Sequence, residues 1–282
     1  MKYLSEAENK SMAKDKREIP IFKFPIIETH FHLDMLKSMT RDEVMDKARQ
    51  HNIEKLITIS TSPRNLDEVI SISQKYVEIY CTQGLHPHEG KEWNEEVKDH
   101  ILKNLNDTQK NKKIVAVGEI GLDFYYSKSP RDEQLKAFEE QLQIAVDYNL
   151  PVVIHSRDAD EDTIAILKNF SSSLKRKGVI HSFTSGLELA NFAINENFCL
   201  GFNGIITFKN AENVRDALKI TPIEKILLET DSPFLTPDPY RGFENAPFYL
   251  PFIAEKIAEI KAIPLSLVLE SAYKNSIKLF NL

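Results

Sequence analysis

Eight short apolar runs alternate with amphipathic segments along the chain, and this alternation limits the possible folds more than any other feature. Each run is rich in β-branched or aromatic residues and lacks helical spacing, so each is predicted to be a buried strand. The runs are 26–32, 55–60, 78–84, 113–120, 150–156, 178–183, 198–204 and 225–231. Eight strand–helix pairs close most simply into a single-domain α/β fold, the (β/α)8 TIM barrel; a doubly wound open sheet is the alternative.

The segments between the runs carry helical patterns, and two further helices are expected after the last strand. Pro63 suits the first turn of its helix, and Asp158 can cap another. The predicted helices are 40–51, 63–76, 132–148, 158–170, 188–196, 211–218, 247–261 and 265–280. The length of 282 residues fits one barrel domain at 21–282, preceded by a flexible extension at 1–20.

Net charge and cysteine content limit the possible functional classes. The net charge is -6 with both signs mixed along the chain, which argues against a broad basic surface for duplex DNA. Bound metal cations could still attract a nucleic acid locally. Cys81 and Cys199 lie in apolar runs and are predicted to be buried free thiols. With no signal-peptide core and no membrane-spanning run, a cytoplasmic protein is expected.

Most of the eight histidines occupy equivalent places in the predicted fold. His51 and His100 fall in or beside helical segments and are predicted to be surface residues. The other six lie at or just past the carboxyl end of a predicted strand: His30, His32, His86, His88, His155 and His181. Because these strand ends meet on the active-site face of a barrel, the six side chains are expected to converge.

Four of these histidines suggest a metal site. His30 and His32 form an H-x-H pair, and residues two apart in a strand point to the same side, so both could bind one ion. His155 and His181 end two consecutive strands that are otherwise apolar. An H-x-H pair can arise by chance, and a single buried histidine is usually a core residue. Their combination on neighbouring strands favours metal binding.

Two carboxylates complete the candidate cluster. Glu119 ends the fourth predicted strand, where burial is costly unless a cation or a structural ion pair compensates its charge. Asp231 ends the eighth strand and could both bind metal and accept a proton from an activated water. Imidazoles and carboxylates without thiolates suit Zn, Mn, Ni, Fe or, less well, Mg, and six ligands allow one or two divalent ions.

Several motifs resemble the TatD family of metal-dependent hydrolases and deoxyribonucleases, in the same order and from about Ile26 to the carboxyl terminus. They are ETHFHLD (28–34), GLHPHE (84–89), VGEIGLDFY (117–125), PVVIHSRDA (151–159), NGIITFKNA (203–211), LLETDSPFLTP (227–237) and RGFENAP (241–247). The resemblance implies a TIM barrel of the amidohydrolase type and metal-dependent cleavage of DNA phosphodiesters, often exonucleolytic, on single strands or ends. No membrane or obligate protein partner is expected.

The resemblance also divides the candidate residues between roles. It implies one ion held by His30, His32, Glu119 and Asp231, and a second held by Glu119, His155 and His181. Asp231 would act as general base toward the attacking water. His86, Arg157 and Arg241 could contact phosphate oxygens; Arg157 could instead pair with an acidic residue, and Arg241 could anchor its loop.

The sequence departs from the family pattern at two points. Residue 28 is Glu where Asp is usual, and Ser182 stands where Cys is usual, followed by a Ser-Gly order that differs from the family's Gly-Ser. Two other functions remain open. The same water-activating site could hydrolyse a carbonyl substrate such as an amide, a lactone or an aminoacyl-tRNA ester, and a non-catalytic scaffold could retain the fold.

Overall fold

A computed structural model describes residues 17–282 and shows eight parallel strands that pair in chain order. The strands are β1 (Ile26–Phe31), β2 (Ile53–Thr58), β3 (Ile79–Gln83), β4 (Ile114–Asp123), β5 (Val152–Arg157), β6 (Gly178–Ile180), β7 (Cys199–Phe202) and β8 (Ile226–Leu228). The N–H of Asp231 donates to the carbonyl of His30 (2.9 Å), and the N–H of His32 donates to Ser232 (2.8 Å). These bonds join the end of β8 to β1, so the barrel is nearly closed. The predicted TIM barrel is confirmed, and the open sheet is wrong.

The helices of the described region lie between the strands and after the last one. They are α1 (Arg41–Gln50), α2 (Leu66–Lys75), α3 (Glu95–Asn106), α4 (Arg131–Asp147), α5 (Asp160–Phe170), α6 (Leu187–Asn195), α7 (Glu212–Ile220), α8 (Leu250–Lys261) and α9 (Leu265–Phe280). Helix α3 was not predicted, because its few apolar residues, Val97, Ile101, Leu102 and Leu105, lie in an otherwise polar and charged segment. None of these helices has the length and apolar character that crossing a membrane requires.

Two predicted helix starts are wrong. Pro63 lies in a turn, and α2 begins three residues later at Leu66. Asp158 adopts a left-handed backbone (φ 52°) before α5 and makes no capping bond. Thr40 does cap α1, since its side chain accepts from the N–H of Glu43 and the Glu43 carboxylate accepts from the N–H of Thr40.

Strand β4 is longer than predicted and ends at Asp123 rather than near 120. Glu119 therefore lies within the strand. Gly121 permits the extension: its φ is +134°, and a Cβ there would lie 2.0 Å from the carbonyl oxygen of His155. Only glycine fits such a close approach to β5, and the three added strand residues carry Asp123 to the barrel mouth.

The apolar core has two main parts. The larger cluster packs the strands against the surrounding helices. The smaller one joins residues of β2 and β4–β8 with Leu279 and Phe280 of α9, so the last helix covers one end of the barrel. Cys81 and Cys199 are buried and free, as predicted.

The amino-terminal extension falls largely outside the described residues, which begin at Arg17. Arg17 donates to both oxygens of Glu255 on α8 (2.7 and 2.6 Å), and its carbonyl accepts from the Tyr240 hydroxyl. Arg17 thus contacts the barrel, and a flexible extension at 1–20 stays a prediction.

Candidate metal centre

Most of the predicted site residues line a cleft of about 1290 Å³ at the carboxyl ends of the strands; His30 lies buried beside His32, and Arg241 lies outside the lining. Histidines and carboxylates from six strands and their loops lie at its base. His51 and His100 do not line it; they bond to the Lys47 carbonyl and to Asp67. The active-site face expected of a barrel is therefore where the candidate residues gather.

Glu119 lies at the centre of the cluster. Its Oε1 is 2.7 Å from Nε2 of His181, 3.0 Å from Nδ1 of His155 and 3.3 Å from Nε2 of His86. Its Oε2 is 3.4 Å from Nε2 of His30. Burial opposes its charge, but the surrounding imidazoles hold the pKa of this carboxyl well below its ordinary value. Glu119 is thus an anion with one oxygen toward His155 and His181 and the other toward His30.

His30, His32 and Asp231 form the half next to β1 and β8. Asp231 Oδ1 is 3.4 Å from Nε2 of His32 and 3.7 Å from Nε2 of His30. Burial lowers the pKa of His30 to about 4. Burial also acts on His32, but its hydrogen bond with Asp231 raises its pKa to about 9. Asp231 has a left-handed backbone (φ 57°), an unusual conformation of the kind found at functional sites.

Several buried ring nitrogens in this cluster have no hydrogen-bond partner among residues 17–282. They are both ring nitrogens of His30, Nδ1 of His32 and Nδ1 of His181. Buried polar atoms are rarely left unpaired, because the lost hydration is not recovered. The imidazole of His30 also stacks on that of His181, with ring centroids 3.7 Å apart. Unpaired nitrogens beside two carboxylates fit a divalent cation.

The possible ligand atoms form overlapping groups, each within 4.8 Å. The six predicted ligands and His86 are all included, and Glu119 and His30 each belong to two groups. The groups are His30–His32–Asp231, His30–Glu119–His181 and His86–Glu119–His155. Glu119 and His30 therefore each lie within reach of ligand atoms from two groups.

Asp123 is a site residue that the sequence reasoning missed, because the fourth strand was expected to end before it. Its Oδ2 lies 3.2 Å from Nε2 of His155 and 2.8 Å from Nε2 of His88. Its Oδ1 accepts from the N–H of Tyr126 (2.8 Å). Burial opposes the charge, yet the bonds from the histidines hold the pKa of Asp123 well below its ordinary value. Its place in the VGEIGLDFY motif was the available signal.

His155 has a partner at each ring nitrogen, Glu119 at Nδ1 and Asp123 at Nε2. Burial tends to lower its pKa, but these two carboxylates raise it to about 9. His88, whose position at a strand end was noted without a role, is tied to the same aspartate. Asp123 thus fixes the ring of His155 against the cluster.

His86 presents a defined hydrogen-bond donor. The N–H of His88 donates to Nδ1 of His86 (3.1 Å), so Nδ1 acts as an acceptor. Burial lowers the pKa of His86 to about 4, which keeps its ring neutral at physiological pH. The single ring proton then lies on Nε2, the atom that faces Glu119.

The two arginines differ in position. Arg157 lines the cleft, and its guanidinium carbon lies 4.3 and 4.9 Å from the ring centres of Tyr125 and Tyr126. Arg241 is exposed and stacks on Phe208, a cleft residue, at 3.5 Å. Neither forms an ion pair with a carboxylate in the described part of the chain.

Two buried glutamates lie beneath the cluster. Oε1 of Glu28 accepts from the N–H groups of His30 (3.0 Å) and Thr230 (2.9 Å), which ties β1 to the segment after β8. Burial raises the pKa of Glu28 to about 8. Glu229 accepts from the N–H of Ser182, and burial raises its pKa well above the ordinary value. Of the two positions that depart from the family pattern, Glu28 belongs to the framework below the site, whereas Ser182 bonds to that framework and also lines the cleft.

An eight-stranded parallel barrel with a buried histidine and carboxylate cluster at its strand ends defines a metal-dependent hydrolase of the TIM-barrel class. The chain belongs to the TatD family, since the model of TatD related DNases matches residues 27–281.

Relatives and solved structures support this placement. The chain is 34% identical to an uncharacterized metal-dependent hydrolase, YabD, of Bacillus subtilis, over 91% of this chain and 99% of the relative. It is 31% identical to the 3'-5' ssDNA/RNA exonuclease TatD of Salmonella typhimurium, over 77% of this chain and 84% of the relative. The crystal structure of YjjV, a TatD homologue from Escherichia coli, superposes with a TM-score of 0.85 at 29% identity, covering 91% and 98% of the two chains.

Proposed function

We propose that the chain is a divalent-metal-dependent phosphodiesterase that acts on DNA, with single strands or ends as substrate and exonucleolytic cleavage. The observation that carries the proposal is the set of unpaired, buried imidazole nitrogens beside Glu119 and Asp231 at the base of an open cleft. The exonuclease activity named for the Salmonella relative supports the choice of substrate. The free, buried thiols of Cys81 and Cys199 favour a cytoplasmic location.

The proposed ligands divide as the two halves of the site suggest. One ion would be held by His30, His32, Glu119 and Asp231, and the second by Glu119, His155 and His181. The groups of ligand atoms within 4.8 Å differ from this division, because they join His181 with His30 and His86 with His155. The donors fit Zn, Mn, Ni, Fe or, less well, Mg. When bound, such ions polarise phosphoryl oxygens and make water a stronger nucleophile near neutral pH.

Asp231 is the proposed general base. Burial opposes its charge, but its bond with His32 and the nearby His30 lower its pKa, so it is a carboxylate at neutral pH and can accept the proton of the attacking water. Its backbone N–H is held by the carbonyl of His30, which fixes the side chain toward the cluster.

Neutral and cationic donors are proposed to hold the substrate phosphate. Nε2–H of His86 would donate to a non-bridging oxygen, because Nδ1 is already occupied as an acceptor. Arg157 and Arg241, which have no carboxylate partner in the described residues, would contact the flanking phosphates. Asp123 would position His155, since its bond at Nε2 orients Nδ1 toward Glu119, where a cation would lie.

A substrate panel with metal analysis of the same sample tests the proposal. Single-stranded and duplex DNA, RNA, charged tRNA and small lactones are assayed with each candidate metal. We expect metal-dependent cleavage of DNA that Asp231→Asn abolishes. A thousandfold preference for a carbonyl substrate would overturn the proposal, and protein that takes up no divalent metal would point to a scaffold.

A further inference from the structure

Two tyrosines at the cleft mouth are exposed without a structural reason. Tyr125 and Tyr126 follow β4 directly and are 58% and 52% exposed, although large aromatic rings are usually more buried. Their rings meet edge to face at 4.8 Å. The N–H of Tyr126 bonds to Asp123, which in turn bonds to His155. The pair is therefore held beside the catalytic cluster and faces solvent.

The cation next to these rings is also available to a ligand. Arg157 lies two residues beyond His155 on β5, with its guanidinium over both tyrosines. Arg131, by contrast, pairs with Asp162, and Arg64 pairs with Glu89 and Glu92. Among residues 17–282 no carboxylate lies within ion-pair distance of Arg157. An unpaired cation against two exposed rings is complementary to a ligand that carries both an anion and flat aromatic groups.

The opposite rim of the cleft also combines aromatic rings with an arginine. Phe234 is 52% exposed and lies 6.2 Å from His32, ring centre to ring centre. The guanidinium of Arg241 lies over the ring of Phe208. The cluster thus has an aromatic residue and an arginine on both sides, an arrangement suited to a strand with alternating phosphates and bases.

We propose that Tyr125 and Tyr126 form a nucleobase-stacking subsite for single-stranded nucleic acid, with Arg157 on the adjoining phosphate. The inference rests on the proposed function and deepens it by naming what selects the substrate. A base can stack on an exposed tyrosine only after it leaves its neighbours and its pairing partner, so an unpaired strand end binds more readily than duplex. Stacking tolerates any base, which predicts little sequence preference.

Binding is the appropriate test, because it does not depend on cleavage. The metal-loaded wild type is titrated with fluorescent single strands whose phosphorothioate links resist hydrolysis. Matched strands, in which the last two nucleotides at each end lack their bases, are titrated in the same way. Anisotropy should show about 5- to 150-fold weaker binding of the abasic strands. The double variant Tyr125→Ala/Tyr126→Ala should lose this preference, by binding the base-bearing strand as weakly as the abasic one.

Two further variants separate stacking from structural effects. Tyr125→Phe/Tyr126→Phe keeps both rings and should retain the wild-type preference. Phe24→Ala removes an exposed aromatic ring outside the cleft and should change nothing.

Equal wild-type binding of both strands, or a full preference in the alanine variant, would overturn the stacking subsite. Either result with DNA cleavage intact leaves the proposed function standing. Absence of DNA cleavage with the preference present would instead refute the proposed function alone.

Discussion

The β1–β8 half of the cluster differs from the β4–β5 half in how its side chains are satisfied. On the first half, made of His30, His32 and Asp231, both ring nitrogens of His30 and one of His32 lack a hydrogen-bond partner within the described part of the chain. The second half consists of His155 and Asp123, with His88 from the segment after β3 and His181 from the end of β6. Both nitrogens of His155 are bonded to carboxylates, and His181 lacks a partner only at Nδ1 among the described residues. His30 and His32 are also more deeply buried than His88 and His155, whereas Asp231 is more exposed than Asp123.

The difference indicates what each half requires. Buried, unpaired imidazoles are unfavourable until a ligand replaces their lost hydration, so the β1–β8 half gains most from a cation. In the β4–β5 half a second ion must displace the bonds that His155 and His181 make with Glu119. We therefore expect the halves to bind metal unequally and their carboxylates to act differently, Asp231 on the reaction and Asp123 on the positioning of a ligand.

Replacement of Asp231 should have the largest effect. Asp231→Asn keeps the shape of the side chain and tolerates the left-handed backbone, but the amide cannot accept a proton from water near neutral pH. We expect kcat to fall by about 10²- to 10⁴-fold, with an unchanged circular dichroism spectrum. Activity within tenfold of wild type would remove Asp231 from the role of base.

Metal titration should reveal two unequal sites. Displacing a hydrogen bond to a charged group costs about 1.5–3 kcal/mol, so the second ion should bind about 10- to 150-fold more weakly than the first. Calorimetry of metal-stripped protein measures both constants. His155→Ala should abolish the weaker step alone, whereas His30→Ala should abolish the tighter one. Two equal steps would mean that the hydrogen-bonding difference has no energetic consequence.

Asp123→Asn should act through His155. An amide at this position accepts the Nε2–H bond less strongly, and loss of such an outer partner typically costs about 10- to 100-fold in metal affinity. Activity should be restored at high metal concentration, as measured by the metal dependence of kcat. Asp158→Asn, at another carboxylate that lines the cleft, is the matched control. A loss that excess metal does not restore would assign Asp123 to the reaction itself.

Glu28→Asp should give the smallest change. The shorter side chain cannot accept from both His30 and Thr230, and an unsatisfied buried N–H costs about 1–3 kcal/mol. Thermal unfolding should therefore begin a few degrees lower, with two metal ions still bound. Glu95→Asp on the surface of α3 should leave the melting temperature unchanged. An equal melting temperature for Glu28→Asp would show that the link from β1 to β8 does not depend on this side chain.

Much of the fold and the candidate site could be predicted from local pattern. The eight apolar runs predicted the strands, and the positions of His30 and Asp231 near strand ends brought them to one face once the barrel closed; Glu119 reaches the same face from within β4. The prediction missed helix α3, whose apolar stripe is narrow, and the end of β4 at Asp123. Strand ends are weakly determined by sequence, because polar residues there resemble loop residues until a neighbouring strand pairs with them.

What the sequence determined by itself was the alternation of buried and amphipathic segments, and hence which residue types stand at the barrel mouth. Only the tertiary structure decided the partners: Glu119 between four imidazoles, Asp123 behind His155, and Arg157 against Tyr125 and Tyr126. The physical reason is the separation along the chain of the residues that each effect involves. Strand and helix periodicity depends on near neighbours in the chain, whereas hydrogen bonds, pKa shifts and stacking depend on atoms that approach within a few ångströms from distant strands.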